Sequence, residues 1–264
     1  MHSLSLGKER ITYDRENITQ SLKEFNDIYL SRPIVDNSGG MTSVHLFNTW
    51  HALKQLNPKL VIESGVWKGL GTWIIEKALP DCSIVSLDIS FANLKFKSDN
   101  STYLGQDIKS IDWNKFLSEQ YPDVKRSDIV LFLDDHQDIL DRVEFIHNLG
   151  IKHILYEDNY PTLQGDVLSP KKILTCQDYI IEKNGIREMK RFSYMDYAKF
   201  LQYVDVYQEL PPIFKPEETR WGDAWNNKDY PTEQELLSID QKSKFEIFFN
   251  ESKDYTWICY MELN

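Results

Sequence analysis

The stretch from Leu60 to Leu79 constrains this chain more than any other. Leu60, Val61 and Ile62 run into Glu63, a turn bearing Gly65, Gly69 and Gly71 follows, and apolar residues at helical spacing then continue to Pro80. Strand, glycine turn and helix in that order predict the first unit of an open α/β sheet that takes a nucleotide-like ligand at the turn. The chain downstream keeps the alternation. Residues 83–88, 102–107, 129–134 and 153–158 read as strands, and residues 138–149 as a helix with Ile139, Val143, Ile146 and Leu149 on one face and Gly150 as its stop. The pattern predicts an α/β fold, a Rossmann-like doubly wound sheet, mostly parallel and covered by helices on both faces.

The flanks carry weaker signals. Ile18, Leu22, Phe25 and Ile28 recur at helical spacing up to Arg32-Pro33. The glycine-bearing segment 37–41 reads as a flexible loop, after which Thr42 or Ser43 caps a helix to Leu56. Beyond residue 158 the chain predicts a loop to Ser169, a helix from Pro170 to about Gly185, and a second helix over about residues 194–209. Residues 213–235 read as a long surface loop, and 244–249 and 256–263 as two strands of a C-terminal antiparallel hairpin.

With 264 residues the chain is long enough for one domain with a substantial core. The reading assigns residues 1–57 to an N-terminal helical cap, 58–165 to a ligand-binding core, and 166–264 to an elaboration and the final strands. A net charge of −11 disfavours a nucleic-acid partner. Cys82, Cys176 and Cys259 show neither disulfide nor zinc spacing, which suits a reducing compartment. The polar N-terminus and the lack of long apolar runs predict a cytoplasmic protein with no membrane partner. A homo-oligomer is compatible with all of this.

The predicted strands end in acids: Glu63, Asp88, Asp107, Asp134, and the pair Glu157-Asp158. Ligands of open α/β sheets bind beyond the carboxyl ends of the strands, so these acids converge on one rim. The plainer alternative is that Asp and Glu favour turns and helix caps there. Asp88 ends the second strand, where an acid can accept from the ribose hydroxyls of a nucleotide-like ligand, and Asp107 ends the third, near where its base would lie. Bulky Val66 and Trp67 sit inside the glycine turn, where a dinucleotide fingerprint needs room for a pyrophosphate. A ligand without phosphate tolerates them.

The turn Glu63-x-Gly65-x-x-x-Gly69-x-Gly71, with Asp88 and Asp107 beyond it, resembles motif I and its partner acids in the class I S-adenosylmethionine-dependent methyltransferases. That resemblance implies S-adenosyl-L-methionine as cofactor, bound by Glu63, Gly65, Trp67, Gly69, Asp88 and Asp107. The acids at the ends of the next two strands suggest a metal. Neighbouring parallel strands lie about 5 Å apart, so Asp134 or Asp135 can face Glu157 and Asp158, and carboxylates that close repel unless a cation lies between them. Oxygen ligands select Mg²⁺, with Ca²⁺ and Mn²⁺ as alternatives. His136 beside them is a candidate general base; a helix-start histidine bonded to backbone is the alternative.

An Asp/His segment followed one strand later by Glu-Asp is similar to the metal-dependent macrolide-sugar O-methyltransferases and the cephalosporin-hydroxylase-like proteins. The similarity spans about residues 38–165. It implies a sheet of about seven strands ending in a hairpin, a divalent metal held by an Asp and the pair Glu157-Asp158, and a histidine base acting on a sugar hydroxyl. The family pattern is Asp-x-x-His, whereas this chain has Asp134-Asp135-His136, so the metal ligand is Asp134 or Asp135 and the base is His136, Asp134 or Asp135. The activity implied is O-methyl transfer to a small-molecule or glycan acceptor. From the residues themselves, segments 39–41 and 159–169 are candidate lids, and Arg220, Trp221 and Trp225 a candidate acceptor platform, the alternative being that the tryptophans staple a long loop to the body. Two rivals are a metal-dependent hydroxylase, which needs a second histidine near the carboxylates, and a module that binds the cofactor without turnover.

Overall fold

The computed structural model describes residues 5–264, so the first four residues of the expected N-terminal cap lie outside the described residues. In chain order the strands are β1 Ser5–Leu6, β2 Leu60–Ser64, β3 Ser83–Leu87, β4 Ser101–Leu104, β5 Ile129–Leu133, β6 His153–Tyr156, β7 Tyr179–Lys183, β8 Ile186–Lys190, β9 Val204–Glu209 and β10 Cys259–Leu263. The α-helices are α1 Ile18–Leu30, α2 Ser43–Leu56, α3 Leu70–Ala78, α4 Trp113–Gln120, α5 Ile139–Asn148, α6 Pro170–Thr175, α7 Tyr194–Tyr203 and α8 Glu246–Glu251.

Eight strands form one sheet in the order β1-β9-β10-β6-β5-β2-β3-β4. Pairings among β2 to β6 are parallel, and β10 and β9 add on antiparallel beside β6. This is the Rossmann-like α/β sheet expected from the sequence. The chain runs outward from β2 through β3 to β4 and returns to β5 on the other side of β2. The crevice between the carboxyl ends of β2 and β5 is therefore the topological switch point, where the helices following the two strands leave to opposite faces.

Both faces are covered. One layer packs α1, α2, α3 and α8 on Val61, Ile84, Phe132 and Leu155; the other packs α4, α5 and α7 on Ile62, Leu131 and Ile154. Strands β2 and β5 are buried along their whole length, as a sheet covered on both sides requires. Helix α2 is buried nearly all round because α1, α3 and α8 surround it.

The C-terminal half departs from the sequence reading in three places. The helix expected from Pro170 to Gly185 stops at Thr175 with Cys176 left-handed, and the chain turns into the β7–β8 hairpin. Asn184 and Gly185 both have positive φ, which the two-residue turn of a right-twisted hairpin needs. The helix expected over 194–209 ends at Tyr203, and Val204–Glu209 is a strand whose antiparallel partner is β10. Residues 244–249, expected as the first strand of the final hairpin, are instead the end of a 3₁₀ turn and the start of α8. Phe248 from that helix packs on Phe25, 5.7 Å between ring centroids, which accounts for its apolar character. Helix α4 is an addition to the reading, although Asp112 caps it by accepting from the Lys115 amide at 3.1 Å and Trp113, Phe116 and Leu117 recur at helical spacing. Among the described residues no helix is long and apolar enough to cross a membrane, and all three cysteines are free.

Candidate active site

The switch point is built by contacts between the first turn and the end of β5. The Asp134 amide donates to the Ser64 carbonyl at 2.8 Å, and a Cβ on Gly65 would overlap the Asp134 carbonyl. Gly65, with φ +93°, is thus required both by its backbone angle and by the close approach. Gly69 is also left-handed and packed against the Phe96 carbonyl. Trp67 has φ +49°, uncommon for a bulky residue. Its Nε1 donates to the Ser38 carbonyl at 3.2 Å, and the Lys68 Nζ donates to the carbonyls of Asp36 and Ser38. The glycine-bearing loop around 39–40 is therefore fastened over the turn.

Beneath this loop lies a cavity of about 250 Å³, lined by Gly65, Trp67, Asp88, Ile89, Asp107 and Asp135 among others. Five of those six are expected site residues; Ile89, 83% exposed, was missed, and its position directly after the strand-end acid Asp88 was the available signal. The Asp88 carboxylate accepts from the amides of Val66 and Trp67 at 3.0 and 3.1 Å, so it braces the turn while lining the cavity. Glu63 is not in the lining. It is fully buried and accepts from Thr72 Oγ1 at 2.5 Å and Ser86 Oγ at 2.7 Å. Burial pushes its carboxyl up to about 7.

Arg142, which the sequence reading did not single out, arranges two of the expected acids. It comes from α5 and is nearly buried, and its Nη2 lies 2.7 Å from Asp107 and 2.8 Å from Asp135. Asp135 also accepts from Ser64 Oγ at 2.7 Å. Asp135 is thereby drawn toward the cavity and Arg142, away from the acids at the end of β6.

The structure brings Asp134, His136 and Asp158 together instead: each offers a ligand atom within 4.8 Å of the others. The His136 amide donates to Asp158 at 2.9 Å, and its Nδ1 lies 3.1 Å from Asp166 and 3.5 Å from Asp158. Its backbone, φ +52°, turns the ring back over the acids. Contact with Asp166 and then the charge of Asp158 raise the imidazole to about 9. Burial, then Glu157 and Asp158, hold the Asp134 carboxyl well above the carboxylate range. Glu157 is buried one residue away, accepts from Thr256 Oγ1 at 3.0 Å, and is pushed up to about 8 by burial and by Asp158. Oδ1 of Asp158 is buried without a hydrogen-bond partner. Crowded acids with raised affinity for protons and an orphaned carboxylate oxygen fit a bound cation.

His136 also lines a second cleft of about 330 Å³, with Tyr160, Asp166, Glu182, Arg220 and Trp221. Of the expected aromatic platform, Trp221 faces this cleft, whereas Trp225 is buried and stacks on Tyr255 at 5.8 Å. His45 is buried between Thr256 and Glu157, where burial lowers it to about 3. His136 thus stands between two openings, one at the glycine turn and one at the aromatic rim.

No protein-family model and no curated protein matches the sequence. Among solved structures, the chain is similar to CmcI with magnesium and S-adenosylmethionine, at 15% identity over 50% of this chain and a TM-score of 0.33; it spans 64% of that protein's length. It is also similar to the O-methyltransferase TomG from Streptomyces achromogenes in complex with S-adenosylmethionine, at 15% identity over 58% of this chain and 67% of that one, TM-score 0.36. The N-terminal domain of EvdMO1, crystallised in the presence of S-adenosylhomocysteine and D-fucose, matches at 12% identity over 97% and 98% of the two chains, TM-score 0.37. Likeness at this level carries no inference about chemistry.

Proposed function

We propose that the protein is an S-adenosylmethionine-dependent O-methyltransferase acting on a hydroxyl of a sugar or glycan, assisted by a divalent metal. The observation that carries the reading is the position of His136 and its acids between two openings at the switch point of the sheet. The opening at the glycine turn takes the donor, and the aromatic cleft takes the acceptor. A cavity roofed by Trp67 and without a phosphate cradle suits a donor with no pyrophosphate.

Asp134 and Asp158 would hold Mg²⁺ or Mn²⁺, with Glu157 behind them and His136 beside them as the base. When bound, the metal supplies a Lewis acid that lowers the pKa of an acceptor hydroxyl. The chain's own residues do the rest. Asp88, Asp107 and Asp135 line the donor cavity with acceptors for hydroxyl and amino groups. The loop around 39–40 covers that cavity and excludes water. Trp221 and Tyr160, edge to face at 6.2 Å, offer apolar faces to a sugar ring. His136 borders both openings; with its Nδ1–H donating to Asp166 at 3.1 Å, the neutral ring would take the hydroxyl proton on Nε2, and Asp166 would stabilise the resulting imidazolium. Holding donor and acceptor on either side of one residue is where most of the rate arises.

Calorimetry of the full chain with S-adenosylmethionine and with NAD separates the donor classes. Binding of NAD alone overturns the reading. Methyl transfer to a panel of glycosides, with and without Mg²⁺, tests the rest: unaltered transfer in Asp158→Asn would remove the metal from the proposal.

A further inference from the structure

The acceptor cleft contains four charged side chains: His136, Asp166, Glu182 and Arg220. Three are compensated locally. His136 and Asp166 pair with each other at 3.1 Å, and Glu182 faces Arg187 at 3.4 Å on the β7–β8 hairpin. Among the described residues Arg220 has no carboxylate at ion-pair distance and makes no side-chain hydrogen bond. Its charge acts at longer range on Glu157, Tyr160 and Asp254, and the residue lines the cleft beside His136 and Tyr160.

The segment that presents Arg220 is built rather than loose. The Gly222 amide donates to the Thr219 carbonyl at 3.0 Å, the Thr219 amide to the Asp223 carbonyl at 2.9 Å, and Glu218 bridges to Ala224. Asp223 is in turn held by Tyr230 Oη and, at 2.8 Å, by Gln164 Nε2. Trp221 stacks on the buried Trp257 at 6.3 Å and 10° between planes, and the Arg220 guanidinium lies 5.8 Å from the Trp221 centroid. A guanidinium within cation–π reach of Trp221, carried on a turn held by hydrogen bonds, offers a planar fork to a bidentate oxyanion.

We infer that the acceptor carries an anionic group, a carboxylate or a phosphate, which Arg220 binds at the rim of the cleft while the hydroxyl to be methylated reaches His136. The inference rests on the reading of this cleft as the acceptor site, and it narrows the acceptor from a neutral sugar to an acidic or phosphorylated one.

The test is calorimetry of the full chain with three probes: methyl β-D-glucopyranoside, methyl β-D-glucuronide and glucose 6-phosphate. At least one charged probe should bind about tenfold or more tighter than the neutral one, as expected for a charge-assisted bidentate contact. Which one it is separates carboxylate from phosphate. Arg220→Ala should bring the charged probe to the level of the neutral one and leave the neutral probe unchanged, and Arg220→Lys should retain part of the preference. Equal binding of all three probes, binding of none, or a preference that survives Arg220→Ala overturns the inference. S-adenosylmethionine affinity measured in the same samples keeps the two readings apart: an Arg220-dependent preference in a chain that does not bind the methyl donor upholds the anion subsite and refutes the transferase.

Discussion

Replacing Arg142 by Met tests whether one buried guanidinium organises the cavity at the glycine turn. Methionine keeps the apolar stem, so packing changes little and charge is removed. The guanidinium side chain is 3% exposed, Asp135 10% and Asp107 43%. The pair with Asp107 is therefore screened by water and contributes at most about 1 kcal/mol. The pair with Asp135 is shielded, and removing one partner of a buried pair costs about 3–5 kcal/mol because the other charge is stranded. A loss of about 3 kcal/mol is expected near neutral pH, lowering Tm by about 6–10 °C for a chain of this size. Asp135 limits the penalty by taking a proton. Burial already raises its carboxyl and Arg142 opposes that rise, so the variant raises it further. A carboxyl raised in the folded state contributes stability that is full below its unfolded value and is lost as pH rises through the folded value. The deficit of the variant therefore shrinks on acidification. Because Asp107 and Asp135 both line the cavity, affinity for S-adenosylmethionine, the proposed donor, should fall about tenfold, an expected effect of misplacing two polar contacts. Thermal melts across pH and calorimetry of the methyl donor read both effects. A Tm within about 2 °C of wild type, together with unaltered donor affinity, would refute the argument.

Three further changes follow from the same geometry. Glu63 rises from 4.5 to about 7 through burial, so its contribution to stability is present at low pH and is lost as pH rises through 7; the step corresponds to ~3 kcal/mol. Urea unfolding should show that slope in wild type and lack it in Glu63→Gln, and a flat wild-type profile between pH 5 and 8 counts against it. Gly65→Ala meets both a left-handed backbone and the Asp134 carbonyl, and should cost more than about 1 kcal/mol in unfolding measurements; a neutral result would mean the turn relaxes freely. Asp158→Asn should weaken Mn²⁺ binding, followed by paramagnetic resonance, by about tenfold or more through loss of a carboxylate ligand, and unchanged binding would locate the ion elsewhere.

The sheet was legible because β2, β3, β5 and β6 are buried on both faces, and burial writes itself as short apolar runs closed by acids; the edge strand β4 is only partly buried. The C-terminal half was not, for reasons local to each segment. Ser169 and Pro170 do cap a helix, but six residues of it suffice, and Asn184-Gly185 is the stronger turn signal once Cys176 has ended α6. Val204, Val206 and Gln208 alternate with Asp205 and Tyr207 as a strand does, yet they follow a helical run without a breaker. Residues 245–249 are apolar on several sides because α8 is wedged between helices and the final loop, which reads as a buried strand.

The site shows a different limit. Sequence alone could bring acids to the end of β5, but consecutive residues leaving a strand point to opposite sides, and nothing in Asp134-Asp135 says which side is which. The choice is made by a residue on the next helix. Arg142 sits on the buried face of α5, directed inward where a charge needs a partner, and the two acids within its reach are Asp107 and Asp135. A buried arginine on an otherwise apolar helix face was therefore the readable sign that one acid of the pair was already taken. Asp134 is left to the cluster with His136 and Asp158, and the shortened Asp134-Asp135-His136 spacing becomes workable because His136 adopts a left-handed backbone. That places its imidazole back over the acids without an intervening residue.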